Sequence, residues 1–270
     1  MNGKYPFLTK FILPVIIIVL AFLLNKTVGL ILVAAYVLYG IYAFMPRYYS
    51  IRGKVRYAKD DINGAISWFK RAYKSGRAGL KTKVSYAYLS LKVGNVDIAE
   101  KILKEMVKLK LDADDEIIVK SNYALVLWKR NKLDEAISML QDLCKKYRNS
   151  TVYSSLGYFY ILNGDLDKAL EFNLKAHDYN GTDNIITDNL GQTYYLMGEY
   201  EKSAEVYKKL MERSPSFPEP YYFYGSALYK MGKKDEAVEM IKKALEHKFS
   251  NLSTITKKMV EEKLKSIEDE

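Results

Sequence analysis

The chain has 270 residues, of which 49% are hydrophobic and 27% charged, with a single cysteine and a formal net charge of +10. That balance excludes a disordered chain and a disulfide-stapled scaffold. The basic excess resembles a nucleic-acid signal until it is mapped. Residues 1–45 carry Lys4, Lys10 and Lys26 with no acid, residues 46–79 carry nine basic residues against Asp60 and Asp61, and the remaining 191 residues sum to zero. Charge confined beside one end points to a membrane surface, not to DNA or RNA.

In chain order, residues 7–45 are apolar except for Lys10 and the dipeptide Asn25-Lys26. Two membrane spans are expected, at 7–24 and 27–45. The second meets the length that a hydrocarbon core of about 30 Å requires and the first does so marginally. Pro14 is tolerated inside such a helix, and Gly29, Ala34, Ala35 and Gly40 permit close helix approach. A cleaved signal peptide is the competing reading of 1–24, but Ala21–Asn25 offers no small-x-small cleavage site. Basic residues flank both ends of this hairpin (Lys4, Lys10, Arg47, Arg52, Lys54 and Arg56), and only Lys26 marks its tip. The positive-inside rule therefore places the N-terminus and everything after the hairpin in the cytoplasm, with residue usage suggesting a bacterial plasma membrane. Pro46 is expected to end the second span and to open a new helix. The basic cluster after it enforces topology and can also contact anionic lipid.

From residue 46 onward one pattern recurs. Gly157, Gly191 and Gly225 are 34 residues apart, as are Gly164, Gly198 and Gly232. Small residues also step through the chain as Ala65, Ala99, Ala136, Ala169, Ser203 and Ala237, and as Gly53, Ala87, Ala124, Gly157, Gly191 and Gly225. Each copy reads as helix, tight turn, helix. The first small residue lets two helices touch, the second glycine ends a helix in left-handed conformation, and an acid such as Asp165 opens the next. One step of 37 residues absorbs an insertion at 110–116, read as a charged loop.

With Leu190-Gly191, Tyr194, Gly198, Tyr207 and Pro215 in register, this pattern resembles the tetratricopeptide repeat. Ser203 in place of the crossing alanine and Asn173 in place of an aromatic depart from it. The resemblance implies an all-α, right-handed α-solenoid of about six helix pairs plus a C-terminal capping helix, preceded by the two-helix transmembrane hairpin. The expected division is a hairpin at 1–45, an array at 46–250 and a cap and tail at 251–270. Repeats fall near 46–79, 80–116, 117–149, 150–183, 184–217 and 218–250. Ser253–Glu268 carries Ile255, Met259, Val260, Leu264 and Ile267 at helical spacing, as a terminal cap requires.

Reaction chemistry is absent from the sequence. There is no Gly-rich phosphate loop, no metal-ligand spacing and no paired cysteines. His177 and His247 sit near the ends of second helices in different repeats, and Cys144 reads as a small buried hydrophobe. No cofactor, no metal and no small-molecule substrate are expected, nor is enzymatic activity. What the resemblance implies instead is a groove lined by the first helices. Carried onto this chain, its places include Tyr57; Val84, Tyr88 and Leu91; Leu125 and Trp128; Tyr158 and Ile161. They continue through Asp188, Gln192 and Tyr195, then Tyr222 and Tyr229. The expected function is a membrane-anchored adaptor that binds a protein or peptide there, with membrane lipids as its other partner. The alternative is an accessory subunit recruited to an integral-membrane complex through its hairpin.

Overall fold

The computed structural model describes residues 12–269, which contain fourteen helices and no strand. The chain divides into two compact units, Met1–Thr82 and Lys83–Glu270. Lys4 and Lys10 lie outside the described residues, as does the start of the first expected span.

The first unit holds α1 (Leu13–Leu24), α2 (Lys26–Ala58) and α3 (Ile62–Lys74). Asn25 alone joins the first two. Its extended backbone reverses the chain, and its side chain accepts the N–H groups of Thr27 (2.8 Å) and Val28 (3.3 Å), capping α2. The helices meet at Gly29, where a Cβ would lie 2.4 Å from the Phe22 ring. Their remaining surfaces are apolar and open, with Leu24 89% and Leu38 66% exposed.

The expected break at Pro46 is absent. α2 runs 33 residues straight through it, roughly 50 Å. A proline inside a helix leaves the carbonyl four residues back without its donor. Here that carbonyl belongs to Tyr42, and Arg77 supplies the missing donor: Nη2 lies 2.8 Å from the oxygen, with the guanidinium 3.7 Å from the centre of the Tyr42 ring. Beyond Pro46 the same helix pairs with α3. A Cβ on Gly53 would lie 2.7 Å from Phe69, and Ala65 and Ala72 are fully buried. Tyr48 and Tyr49 pack on Trp68.

The second unit opens within α4 (Leu80–Lys92) and continues as α5 (Val96–Met106), α6 (Ala113–Lys129), α7 (Leu133–Lys146), α8 (Ser150–Leu162), α9 (Leu166–Asn180), α10 (Asn184–Leu196), α11 (Tyr200–Met211), α12 (Glu219–Lys230) and α13 (Lys234–Leu245), closed by α14 (Lys257–Asp269). Helices pair in sequence, and α6, α8, α10 and α12 also touch one another as a layer. The small residues at each crossing, Ala99, Ala136, Ala169, Ser203 and Ala237, are fully buried. Both departures from the repeat pattern are explained by hydrogen bonds. Ser203 Oγ donates to the Gly191 carbonyl (2.9 Å), and Asn173 Nδ2 donates to Thr193 Oγ1 (3.1 Å), its amide filling space opened by Gly157.

The turn inside each helix pair needs one left-handed residue. Gly94, Gly164, Gly198 and Gly232 supply it in the second unit with φ between 78° and 86°, and Asn131 does so at 60°. Asp60, at φ 57°, holds the equivalent place in the first unit. A side chain in that conformation costs about 1–2 kcal/mol, less for Asn and Asp. Asp60→Gly is therefore expected to stabilise the chain by about 0.5–1 kcal/mol, read as a higher urea midpoint with an unchanged slope.

The insertion read as a charged loop is largely helix. It lengthens α6 to 17 residues, with Asp112 accepting from Asp115 N–H (2.9 Å) and Asp114, Asp115 and Glu116 in its first turn. Acids suit that end because the first-turn N–H groups and the helix dipole favour negative charge. Glu116 binds Lys120 Nζ (2.5 Å), Tyr147 OH (2.8 Å) and Lys146 Nζ (3.4 Å). The Lys120 and Tyr147 bonds pull its carboxyl from 4.5 to about 2. A depressed carboxylate stabilises the fold above the unfolded value and loses that contribution as pH falls through the folded one. Glu116→Gln is expected to cost about 1–2 kcal/mol at pH 7, after allowance for the exposed lysine partners. The difference should vanish between pH 4.5 and about 2, measured by urea unfolding across that range.

Candidate groove on the inner helices

In the second unit the anticipated groove positions lie on first helices, but they are covered more than a free surface requires. Val84, Leu91 and Ile161 are buried, while Tyr88, Leu125, Trp128, Tyr158, Tyr195, Tyr222 and Tyr229 are half-buried. Trp128 and Tyr158 meet edge to face at 5.7 Å, and Lys129 Nζ stands 3.7 Å over the Trp128 ring. Some of this is ordinary packing: Trp128 and Tyr158 both rest on the core that holds Phe159 and Leu156. Tyr57, in the first unit, is 43% exposed.

The remaining cover comes from the chain itself. The expected cap begins only at Lys257, so residues 250–256 are not helical. They run past the ends and faces of three first helices. Asn251 N–H donates to the Lys92 carbonyl at the end of α4 (2.9 Å). Tyr158 OH on α8 donates to the Leu252 carbonyl (3.4 Å). Ser253 Oγ donates to Glu219 Oε1 at the start of α12 (2.5 Å). These bonds and the buried Ile255 hold the segment away from helical geometry. The cap proper then buries Val260 and Ile267, with Met259 outward.

The same face holds two carboxylates. Asp188 is 5% exposed and accepts from Tyr207 OH at 3.1 Å. Burial, reinforced by the nearby Glu219, raises its carboxyl well above the ordinary range. Burial also raises Glu219, while the Ser253 hydroxyl, Lys92 and His247 act in the opposite sense. One turn along α10 from Asp188, Gln192 is 4% exposed and its Oε1 has no hydrogen-bond partner among the described residues. The sequence placed Asp188 and Gln192 in the groove. It did not signal Glu219 or the covering segment.

The basic cluster is partly engaged within the first unit. Arg52 lies over Trp68 (5.4 Å) and Arg56 pairs with Asp61 (3.2 Å), whereas Arg47 and Lys54 are exposed. His247 stacks on Tyr221 at 4.7 Å, burial lowers His177, and half-buried Cys144 has its thiol raised by burial. Among the described residues no group of three or more His, Cys, Asp or Glu side chains could hold a metal ion.

Residues 191–232 match a family model described as TPR repeat, and residues 123–181 and 218–250 match two models described as tetratricopeptide repeat. A solved tetratricopeptide repeat protein from Parabacteroides merdae superposes with a TM-score of 0.67 at 12% identity, over 94% of this chain and 98% of that one. PilW, described as a widely conserved type IV pilus biogenesis factor, gives 0.58 at 14% identity, over 73% of this chain and 91% of its own. Pseudomonas aeruginosa pilF gives 0.54 at 14% identity, over 82% and 97% respectively. These are likenesses of fold. No curated protein matches the chain.

Proposed function

Since this chain is a tetratricopeptide-repeat protein, we propose that it is a non-enzymatic adaptor, held in a membrane by α1 and α2 and binding a segment of another protein along the inner helices. The observation that carries the reading is α2 itself. One continuous helix is long and apolar enough to cross a bilayer in its first part and builds a helix pair with α3 in its last. A membrane span is thereby joined to a repeat without a flexible linker. α1 has 12 described residues, fewer than a bilayer crossing needs. The basic flanks support a cytoplasmic side for the N-terminus and the repeats.

Half-buried tyrosine and tryptophan suit a peptide ligand, since they contribute large area at small rotamer cost and keep a polar tip. Crosslinking in native membranes followed by recovery of the chain tests this. Trp128→Ala is expected to abolish recovery of the partner while far-UV circular dichroism stays unchanged. An unaltered partner set counts against the groove.

A second reading, an accessory subunit docked through its span, is favoured by Gly40, beside which nothing lies within 4 Å among the described residues. Such a bare backbone patch suits close approach by another helix. Replacing residues 1–45 by an unrelated anchor separates the two: retained function supports the adaptor, lost function the intramembrane partner.

A further inference from the structure

We propose that residues 250–256 are a resident stand-in ligand, and that the segment displacing them is a chain whose lysine or arginine docks at Glu219. The inference rests on reading the inner helices as a binding groove, and it names what regulates that groove and which chemistry it selects.

The resident segment is seated as a peptide ligand would be. Successive residues reach successive parts of the face: Asn251 the end of α4, Leu252 the Tyr158 hydroxyl on α8, Ser253 the start of α12. The first two contacts use only backbone groups of the segment, so they do not depend on its side chains. The third uses the Ser253 side chain, and the Thr254 side chain also reaches Tyr158. The fastening is also light. Asn251 is exposed, Leu252, Ser253 and Thr254 are half-buried, and several bonds within the segment are local, such as Ser253 N–H to the Ser250 carbonyl (3.0 Å). Ile255, by contrast, is buried with Val260 and Ile267. Residues 250–254 can therefore leave while α14 keeps its place on α13.

Charge decides what replaces them. Glu219 helps to raise the Asp188 carboxyl, and the partner it takes from the segment is the neutral Ser253 hydroxyl. A serine hydroxyl satisfies one carboxylate oxygen without neutralising it. A buried carboxylate is stabilised far more by a hydrogen-bonded cation than by a neutral donor. An incoming ammonium or guanidinium in the place of the Ser253 hydroxyl supplies that cation.

Two fluorescent hexapeptides test this on the full chain in lipid nanodiscs: Ser-Asn-Leu-Lys-Thr-Ile, with a lysine at the Ser253 place, and Ser-Asn-Leu-Glu-Thr-Ile. By anisotropy the lysine peptide is expected to bind at least about tenfold tighter than the glutamate peptide. Ser253→Ala in the protein, which loosens the resident segment, should tighten it by a further factor of about ten, and Glu219→Gln should erase the preference. Amide exchange across 250–254 should accelerate when the lysine peptide binds. Equal affinity for both peptides, unchanged exchange at 250–254 on binding, or no binding to the Ser253→Ala protein would each overturn the proposal. The underlying groove reading fails separately, when Trp128→Ala leaves the crosslinked partner set intact.

Discussion

Gly191→Val is expected to lower the unfolding free energy by about 3 kcal/mol, at the upper end of what overpacking a core costs. A Cβ at Gly191 would stand 2.7 Å from Cζ of Tyr207. That ring has no room to retreat. Tyr207 is fully buried, packs in one core with Leu210, Tyr221 and Phe223, and is tethered through its hydroxyl to Asp188. The strain must then separate α10 from α11. Tyr207→Leu in the same chain is expected to return part of the loss, because the two side chains compete for one volume and their effects are not additive. Gly40→Val is the matched control. It adds the same atoms where, among the described residues, nothing lies within 4 Å, and should shift stability by less than about 0.5 kcal/mol. Urea unfolding in detergent, followed by circular dichroism, compares all three. Equal losses at Gly191 and Gly40 would mean that the α10–α11 approach does not set the cost.

Removing residues 1–45 is expected to turn a chain that needs detergent into one that stays in solution without it, with its repeats still folded. Removing residues 1–58 should do the same for solubility but lower the melting temperature by about 4 °C or more. The first cut takes away the open apolar surface of α1 and the first part of α2, and leaves Pro46 at a helix start, where its missing N–H costs nothing. The second cut also removes Gly53 and its turn of helix from against Phe69, so α3 loses the face that buries Ala65 and Ala72. In a repeat array each unit is stabilised chiefly by its neighbours, so the damage should appear at one end. Sedimentation with anionic vesicles adds a second readout. If the 1–45 deletion still pellets with them, Arg47 and Lys54 hold the surface without a span.

How much of this could be read beforehand depends on distance along the chain. The helix pairs were legible because each depends on residues a few places apart: a left-handed turn, a small residue at the crossing, an acid at the next helix start. Even so, the turns in the first and third repeats carry no glycine to mark them, since Asp60 and Asn131 take the left-handed place. The insertion at 110–116 misled for the opposite reason. A charged run resembles a loop, yet three acids after Asp112 are what a helix N-terminus favours.

The amino-acid sequence by itself determined the architecture, the number of helix pairs and the apolar start, since periodicity, small residues and charge placement act locally and repeat. Only the tertiary structure decided that α2 passes Pro46 unbroken, because the donor that permits it, Arg77, is 35 residues away from Tyr42. It likewise decided that residues 250–256 lie on the inner helices, 94 residues from Tyr158 in one contact and 34 from Glu219 in another. Hydrogen bonds of that span leave no period and no motif in a sequence, because any nearby carbonyl, hydroxyl or guanidinium can make them once the fold has brought it there.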